Sequence, residues 1–174
     1  MRAGLLAAVL LAGCAHERAP GWPSERKAAR LQVPFFPDDT DQCGPSALAS
    51  VMSYWGDATE PDGLRKEIYT AKLGGSLPMD LMLAARAHGL SASMSEGGAY
   101  ELRREIDAGR PAIAFLNLGF KLVPIGHFVV VTGYDARGVY AHSGERRDVH
   151  RTWREFESQW AKTGRWMLRV SRPS

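Results

Sequence analysis

The sequence predicts an α+β fold in which N-terminal helices pack on a C-terminal antiparallel sheet, and three observations carry that expectation. Ala47, Leu48, Val51, Met52 and Trp55 recur at helical spacing directly after the stretch "DTDQCGPSAL". The segment "HFVVVTGYD" is apolar at consecutive positions, the pattern of a strand covered on both faces and therefore central in its sheet. Helical patterns come first along the chain and strand patterns second, the order of an α+β domain rather than of repeated βαβ units.

Each element has a local reason. "LQVPFF" is a short apolar extended run closed by Pro37, and "PDDTD" supplies turn and N-cap residues. The first helix starts at Cys43 and Gly44, tolerates Pro45 in its first turn, and stops at Gly56. "PDGLRKEIYTA" and "PMDLMLAARAH" read as two further helices, the second closed by Gly89. A strand near Leu90 to Met94 and a helix near Tyr100 to Ala108 follow, then the strand "PAIAFLN" and a loop "LGFKLVPIG". "GVYAHSG" returns as the hairpin partner of the central strand across "DARG". "TWREFESQW" is a short amphipathic helix and "RWMLRV" the last strand.

The 174 residues, 45% hydrophobic and 24% charged, suit one globular domain. A net charge of +3 from 22 basic and 19 acidic residues, with no basic block interleaved by aromatics, argues against nucleic acid. No GxxxxGK[ST] loop is present, so ATP is not an expected partner. The chain has no HExxH or CxxC, and no close His pair with a carboxylate, so neither a metal nor a cofactor is expected.

The N-terminus, "MRAGLLAAVLLAGC", has Arg2, an apolar run from Leu5 to Ala12, then Gly13 and Cys14. It reads as a secretory signal, and its ending "LAGC" resembles the lipobox of bacterial lipoproteins. That resemblance implies a signal peptide over 1–13 and a lipidated Cys14. With Ala15 rather than Asp next, it implies the bacterial cell envelope, at the outer membrane facing the periplasm. Residues 14–30 then form a tether with a reach of roughly 20–25 Å, and 31–174 the folded domain. No later stretch approaches the ~20 apolar residues of a membrane span, so the expected membrane contact is an anchor. Lipidation of Cys14 leaves Cys43 without a disulfide partner, and an unpaired thiol in an exported chain is either buried or employed.

At a helix N-terminus, orphan N–H groups and the macrodipole favour thiolate, and the same N–H groups can receive an oxyanion. His127 opens the central strand straight after Gly126 and is the candidate base. Taken singly, such a cysteine and such a histidine are more often core residues than catalysts. Their placement together, and in this chain order, is what points to nucleophilic catalysis.

"VPFFPDDTDQCGPSALASVMSYWG", "GGSLPMDLMLAARAHGL" and "GHFVVVTGYDARGVYAHSG" resemble family thirty-nine of the cysteine peptidases, over residues 33 to 145. These are papain-like enzymes known for removing double-glycine leaders from bacteriocins, together with stand-alone exported relatives. The resemblance implies a papain-like fold, Cys43 as nucleophile, His127 as general base, and a peptide or protein as substrate. The tail from His142 onward is similar to a lipoprotein subgroup.

Two positions depart from the family. Its oxyanion-donating Gln, five or six residues before the cysteine, is Asp38 or Pro37 here, which leaves the Cys43 backbone N–H and Gln42 as expected donors. Its His-orienting Asp is replaced by Ser143, a neutral acceptor, with Asn117, Asp135 and Asp148 as fallbacks. Losing the charged member of a triad costs up to ~10⁴ in rate when the tautomer is also upset. Three other readings therefore stand beside the peptidase: a degenerate partner-binding module, an NlpC-type cell-wall amidase, and an acyl or amine transferase. His142 and His150 lie near Ser143 in sequence, and His88 suits the C-terminus of its helix.

Overall fold

The structure is a computed structural model that describes residues 28–38, 42–120 and 123–173. The expected signal peptide, Cys14 and most of the tether lie outside the described residues. Strand β1 (Ala29–Arg30) is already paired, so the fold takes in the last residues assigned to the tether. Residues 31–38 run on without strand pairing of their own, and Leu31 N–H donates to the Thr132 carbonyl at 2.7 Å.

Helix α1 (Cys43–Tyr54) begins where Asp38 Oδ1 accepts the Gln42 backbone N–H at 3.0 Å. It ends where Gly56 takes φ +99°, a left-handed turn that a side chain would strain. Gly44 is needed for a different reason: a Cβ there would sit 2.9 Å from the Ser76 side chain, so only glycine lets the two segments meet. Helices α2 (Pro61–Ile68) and α3 (Pro78–Ala87) each open on a proline in the first turn, where its missing N–H costs nothing.

After α3 come β2 (Ser91–Glu96), α4 (Ala99–Asp107), β3 (Ala112–Asn117), β4 (Gly126–Tyr134), β5 (Gly138–Ser143), β6 (Arg146–Thr152), α5 (Trp153–Trp160) and β7 (Trp166–Ser171). The seven strands make one antiparallel sheet in the order β2-β7-β3-β4-β5-β6, and β1 pairs with the end of β4 that β3 leaves uncovered. The β4–β5 hairpin across "DARG" forms as expected, with Tyr134 opposite Val139.

The sheet separates two cores. Ile113, Phe128, Val130 and Leu168 face α1, α2 and α3, packing on Leu48, Val51, Met52, Leu64 and Leu81. Their neighbours Ala112, Ala114, Val129, Val131 and Met167 face α4 and α5, against Leu102, Ile106, Phe156 and Trp160. Alternate residues of β4 thus enter opposite cores, which is why its sequence is apolar without a period of two. Burying each of the larger aliphatic and Phe side chains among them contributes roughly 1.5–3 kcal/mol.

The expected architecture needs two amendments. Helices cover both faces of the sheet, since α4 and α5 lie opposite α1 to α3. In addition, β6 was not expected, because "RRDVHRT" is charged and carries no apolar alternation. It is an edge strand, where charge protects an unpaired rim from further pairing. No helix among the described residues is long and apolar enough to cross a membrane.

Candidate active site

The first residue of α1 and the second residue of β4 meet at one end of the sheet. Cys43 Sγ, a ring nitrogen of His127 and a carboxylate oxygen of Asp38 all lie within 4.8 Å of one another. His127 Nε2 is 3.0 Å from Ser143 Oγ at the end of β5, which leaves Nδ1 as the nitrogen for the thiol. Gly126 makes room for this arrangement, because a Cβ at that position would strike the Phe115 ring at 2.6 Å. A cavity of about 10 Å³, room for one water, lies beside Cys43 and is lined by Phe35, Asp38, Ser46, Phe128 and Ser143.

Burial and nearby charge favour the neutral form of both groups. Burial pushes the Cys43 thiol up; the Phe128 backbone N–H counters this, and the Asp38 carboxylate adds to it. Burial also pulls His127 down to about 4, and the positive charge of Arg151 reinforces the shift. A thiol above its usual range beside an imidazole below its own does not exchange a proton spontaneously. The macrodipole of α1 therefore loses here to desolvation and to one carboxylate.

Arg151, on β6, did not emerge from the sequence. Its Nη2 donates to Ser143 Oγ at 3.3 Å and its Nη1 to Gln159 Oε1 at 3.4 Å, while its Nε is buried without a hydrogen-bond partner among the described residues. The signal was the charged run "ERRDVHRT", but only the unexpected strand β6 aims one of those charges at the site.

The remaining candidates separate cleanly. Gln42 lines a different recess with Phe36, Pro37 and Glu60, and is not among the residues lining the cavity beside Cys43. Asn117 Oδ1 accepts the N–H groups of Gly119 and Ile125, shaping its own loop. Asp135 accepts the Arg137 and Gly138 N–H groups in the hairpin turn, the Tyr140 hydroxyl and a contact from His150. Asp148 accepts the Thr132 hydroxyl and pairs with Arg30. In these positions the three fallback residues bond within their own loops and strands, while the His127 ring bonds Ser143.

His142 is structural: its Nε2 bonds the Val33 carbonyl at 3.1 Å and its Nδ1 accepts the Asp148 N–H at 3.2 Å. His88 caps α3, with Nδ1 3.2 Å from Asp57 and Nε2 3.2 Å from Glu67. The one metal-ligand grouping among the described residues is the Asp38, Cys43 and His127 set, which sequence motifs missed because its members come from separated segments.

The same fold occurs in solved structures. A C39-like peptidase from Bacillus anthracis superposes with a TM-score of 0.73 at 23% identity, covering 86% of this chain and all of its own. A double glycine motif protease from an AMS/PCAT transporter, in complex with its leader peptide, gives 0.68 at 23% identity, covering 83% of this chain and 95% of its own. The peptidase domain of Streptococcus ComA, a bifunctional ABC transporter of a quorum-sensing pathway, gives 0.67 at 24% identity, covering 80% and 98%. At these identities the likeness establishes the fold, α+β and papain-like. No curated protein sequence matches the chain. Residues 30–167, which hold both the sheet and the Cys43–His127 pair, match the sequence profile of the Peptidase_C39 like family, and the chain belongs to that family.

Proposed function

We propose that the protein is an exported, lipid-anchored thiol peptidase that cleaves peptide bonds through an acyl-enzyme on Cys43. The observation that carries this reading is the juxtaposition of Cys43 Sγ and His127 at the sheet end, with the second ring nitrogen held by Ser143. Burial favours the neutral form of both groups, so His127 serves as a general base: Nδ1 takes the thiol proton as sulfur attacks the carbonyl, and returns it to the leaving amine. Water then hydrolyses the thioester. The Cys43 backbone N–H at the start of α1 faces the developing oxyanion, with Gln42 as a second donor if its side chain swings in.

A peptide substrate is supported by an apolar groove of about 550 Å³ that reaches Gly126 from Pro78, Phe115, Pro124 and Trp166. Phe120, Val123 and Ile125 project from the adjoining β3–β4 loop, 76%, 65% and 54% exposed. The leader-peptide complex of the related double glycine motif protease supports the same substrate class. The "LAGC" ending supports lipid attachment at Cys14 and residence in the cell envelope.

The test is cleavage of peptide and protein mixtures by the full chain, read by mass spectrometry of products. Cleavage lost in both Cys43→Ala and His127→Ala is expected. Labelled palmitate incorporated into the chain but not into Cys14→Ser tests the anchor. A second reading, a peptide-binding module with a degenerate site, is favoured by Asp38 beside Sγ and Arg151 behind Ser143, since each charge opposes hydrolysis. Binding of peptides without turnover by the unsubstituted chain would select it.

A further inference from the structure

Asp38, Cys43 and His127 present a carboxylate, a thiol and an imidazole to one point. Borderline-soft transition-metal ions take that mixture of donors, zinc above all. We propose that these three side chains bind one zinc-class divalent ion, with solvent at the fourth position, and that loading the ion closes Cys43 to substrate. The binding stands independently of catalysis, whereas its inhibitory effect rests on the peptidase reading.

The geometry is near what is required. Donor atoms that lie within 4.8 Å of one another must close to about 3.5 Å, the edge of a tetrahedron with metal–ligand bonds of about 2.0–2.3 Å. The supporting partners of two ligands are already in place: Ser143 Oγ holds His127 Nε2 at 3.0 Å, and the Gln42 N–H holds Asp38 Oδ1 at 3.0 Å. A metal-ligating histidine needs such an outer partner on its other nitrogen to fix its ring.

Charge supplies the second argument. Asp38 stands beside the thiol, where its negative charge opposes both a thiolate and an oxyanion. With a dication at the centre of the trio, the same carboxylate and a thiolate together balance two positive charges. The feature least suited to hydrolysis is therefore suited to holding a cation. Loading forms the metal–sulfur bond and releases the thiol proton to solvent, with no electron transferred.

The experiment uses the full chain carrying Cys14→Ser, so that Cys43 is the remaining thiol. Cobalt(II) is titrated while the thiolate-to-cobalt charge-transfer absorption is followed, and zinc is then added in competition. One ion per chain is expected, and Cys43→Ser removes the band. Asp38→Asn and His127→Ala should each weaken binding by about tenfold or more, since losing even an outer partner of a ligand costs roughly 10–100-fold. In the chain with all three ligands intact, zinc should block iodoacetamide labelling of Cys43 and a chelator should restore it, a readout independent of how the variants fold. Absence of the band in excess cobalt, or undiminished binding by a folded Asp38→Asn, overturns the site. Peptide cleavage by the chelator-treated chain separates the two readings. Metal binding without cleavage counts against the peptidase alone, and cleavage without metal binding counts against this site alone.

Discussion

Arg151 donates from Nη2 to Ser143 Oγ at 3.3 Å, and the same hydroxyl lies 3.0 Å from His127 Nε2. The chain of contacts behind the imidazole therefore ends in a guanidinium, whereas the family pattern places a carboxylate directly on the ring. In the proposed reaction a carboxylate would stabilise the imidazolium formed as Cys43 attacks; a guanidinium works against it.

Arg151→Gln tests that opposition. Removing the charge while keeping a donor for Ser143 should move His127 up from about 4 toward its usual 6.5, with burial holding it short of that value. NMR titration of the His127 ring reads the shift. On a cleavable peptide, kcat/KM should rise by up to about tenfold as the base strengthens. An unchanged ring titration would mean that burial alone sets the basicity.

The alkylation rate of Cys43 against pH follows from the thiol shift. A group raised above its ordinary 9.0 gives a rate whose midpoint lies beyond that pH, with no plateau in the acid range. His127→Ala should leave the shape of the curve as it is, because burial disfavours a resting ion pair. Asp38→Asn removes one of the causes that raise the thiol and should bring the midpoint down. A plateau below about pH 7 that depends on His127 would show a preformed ion pair instead.

Asp38→Gln restores the family's carboxamide near the sulfur. It exchanges a charge that repels an oxyanion for a group that can donate to one, and a single oxyanion donor is worth about 10²–10³ in kcat. The variant should therefore gain activity, by about tenfold or more, measured as kcat on one peptide. A loss would show that the carboxylate serves the reaction or the fold through its bond to the Gln42 N–H.

Much of this was legible because the sequence states it twice. β4 is apolar at consecutive positions from Phe128 to Val131 since both faces are covered, and α1 carries helical spacing, a proline in its first turn and a terminal glycine. The Cys43–His127 approach could be anticipated because each sits at an element terminus, and the structure brings both to the same sheet end together with Ser143. Arg151 could not be, since its relevance depends on an edge strand whose charges conceal it from period-based reading. Asp38 is marked by the family resemblance as one of two positions where an oxyanion donor is missing. That it also completes a three-donor set needed the path of residues 31–38 in space, which no local pattern encodes.

The last expectation concerns stability rather than chemistry. His88 lies between Asp57 and Glu67, and although burial alone would lower its pKa, its contacts with these carboxylates raise it above 6.5 overall, while Asp57 is lowered from 3.8. Folding tightens proton binding at His88, so its contribution is fully present below the unfolded value of 6.5 and is lost as pH rises through the folded value. Asp57 behaves oppositely, contributing above 3.8 and losing that contribution as pH falls through its lower folded value. The pair is therefore worth most between 3.8 and 6.5. His88 and Asp57 are 22% and 19% exposed, while Glu67 at 42% is screened by solvent, so the sum is modest. His88→Gln should cost about 0.5–1 kcal/mol, or a melting temperature about 2–3 °C lower, when measured within that window. At a pH well above the folded value the difference should vanish. A loss of equal size at both pH values would assign the effect to packing at the end of α3 instead of to charge.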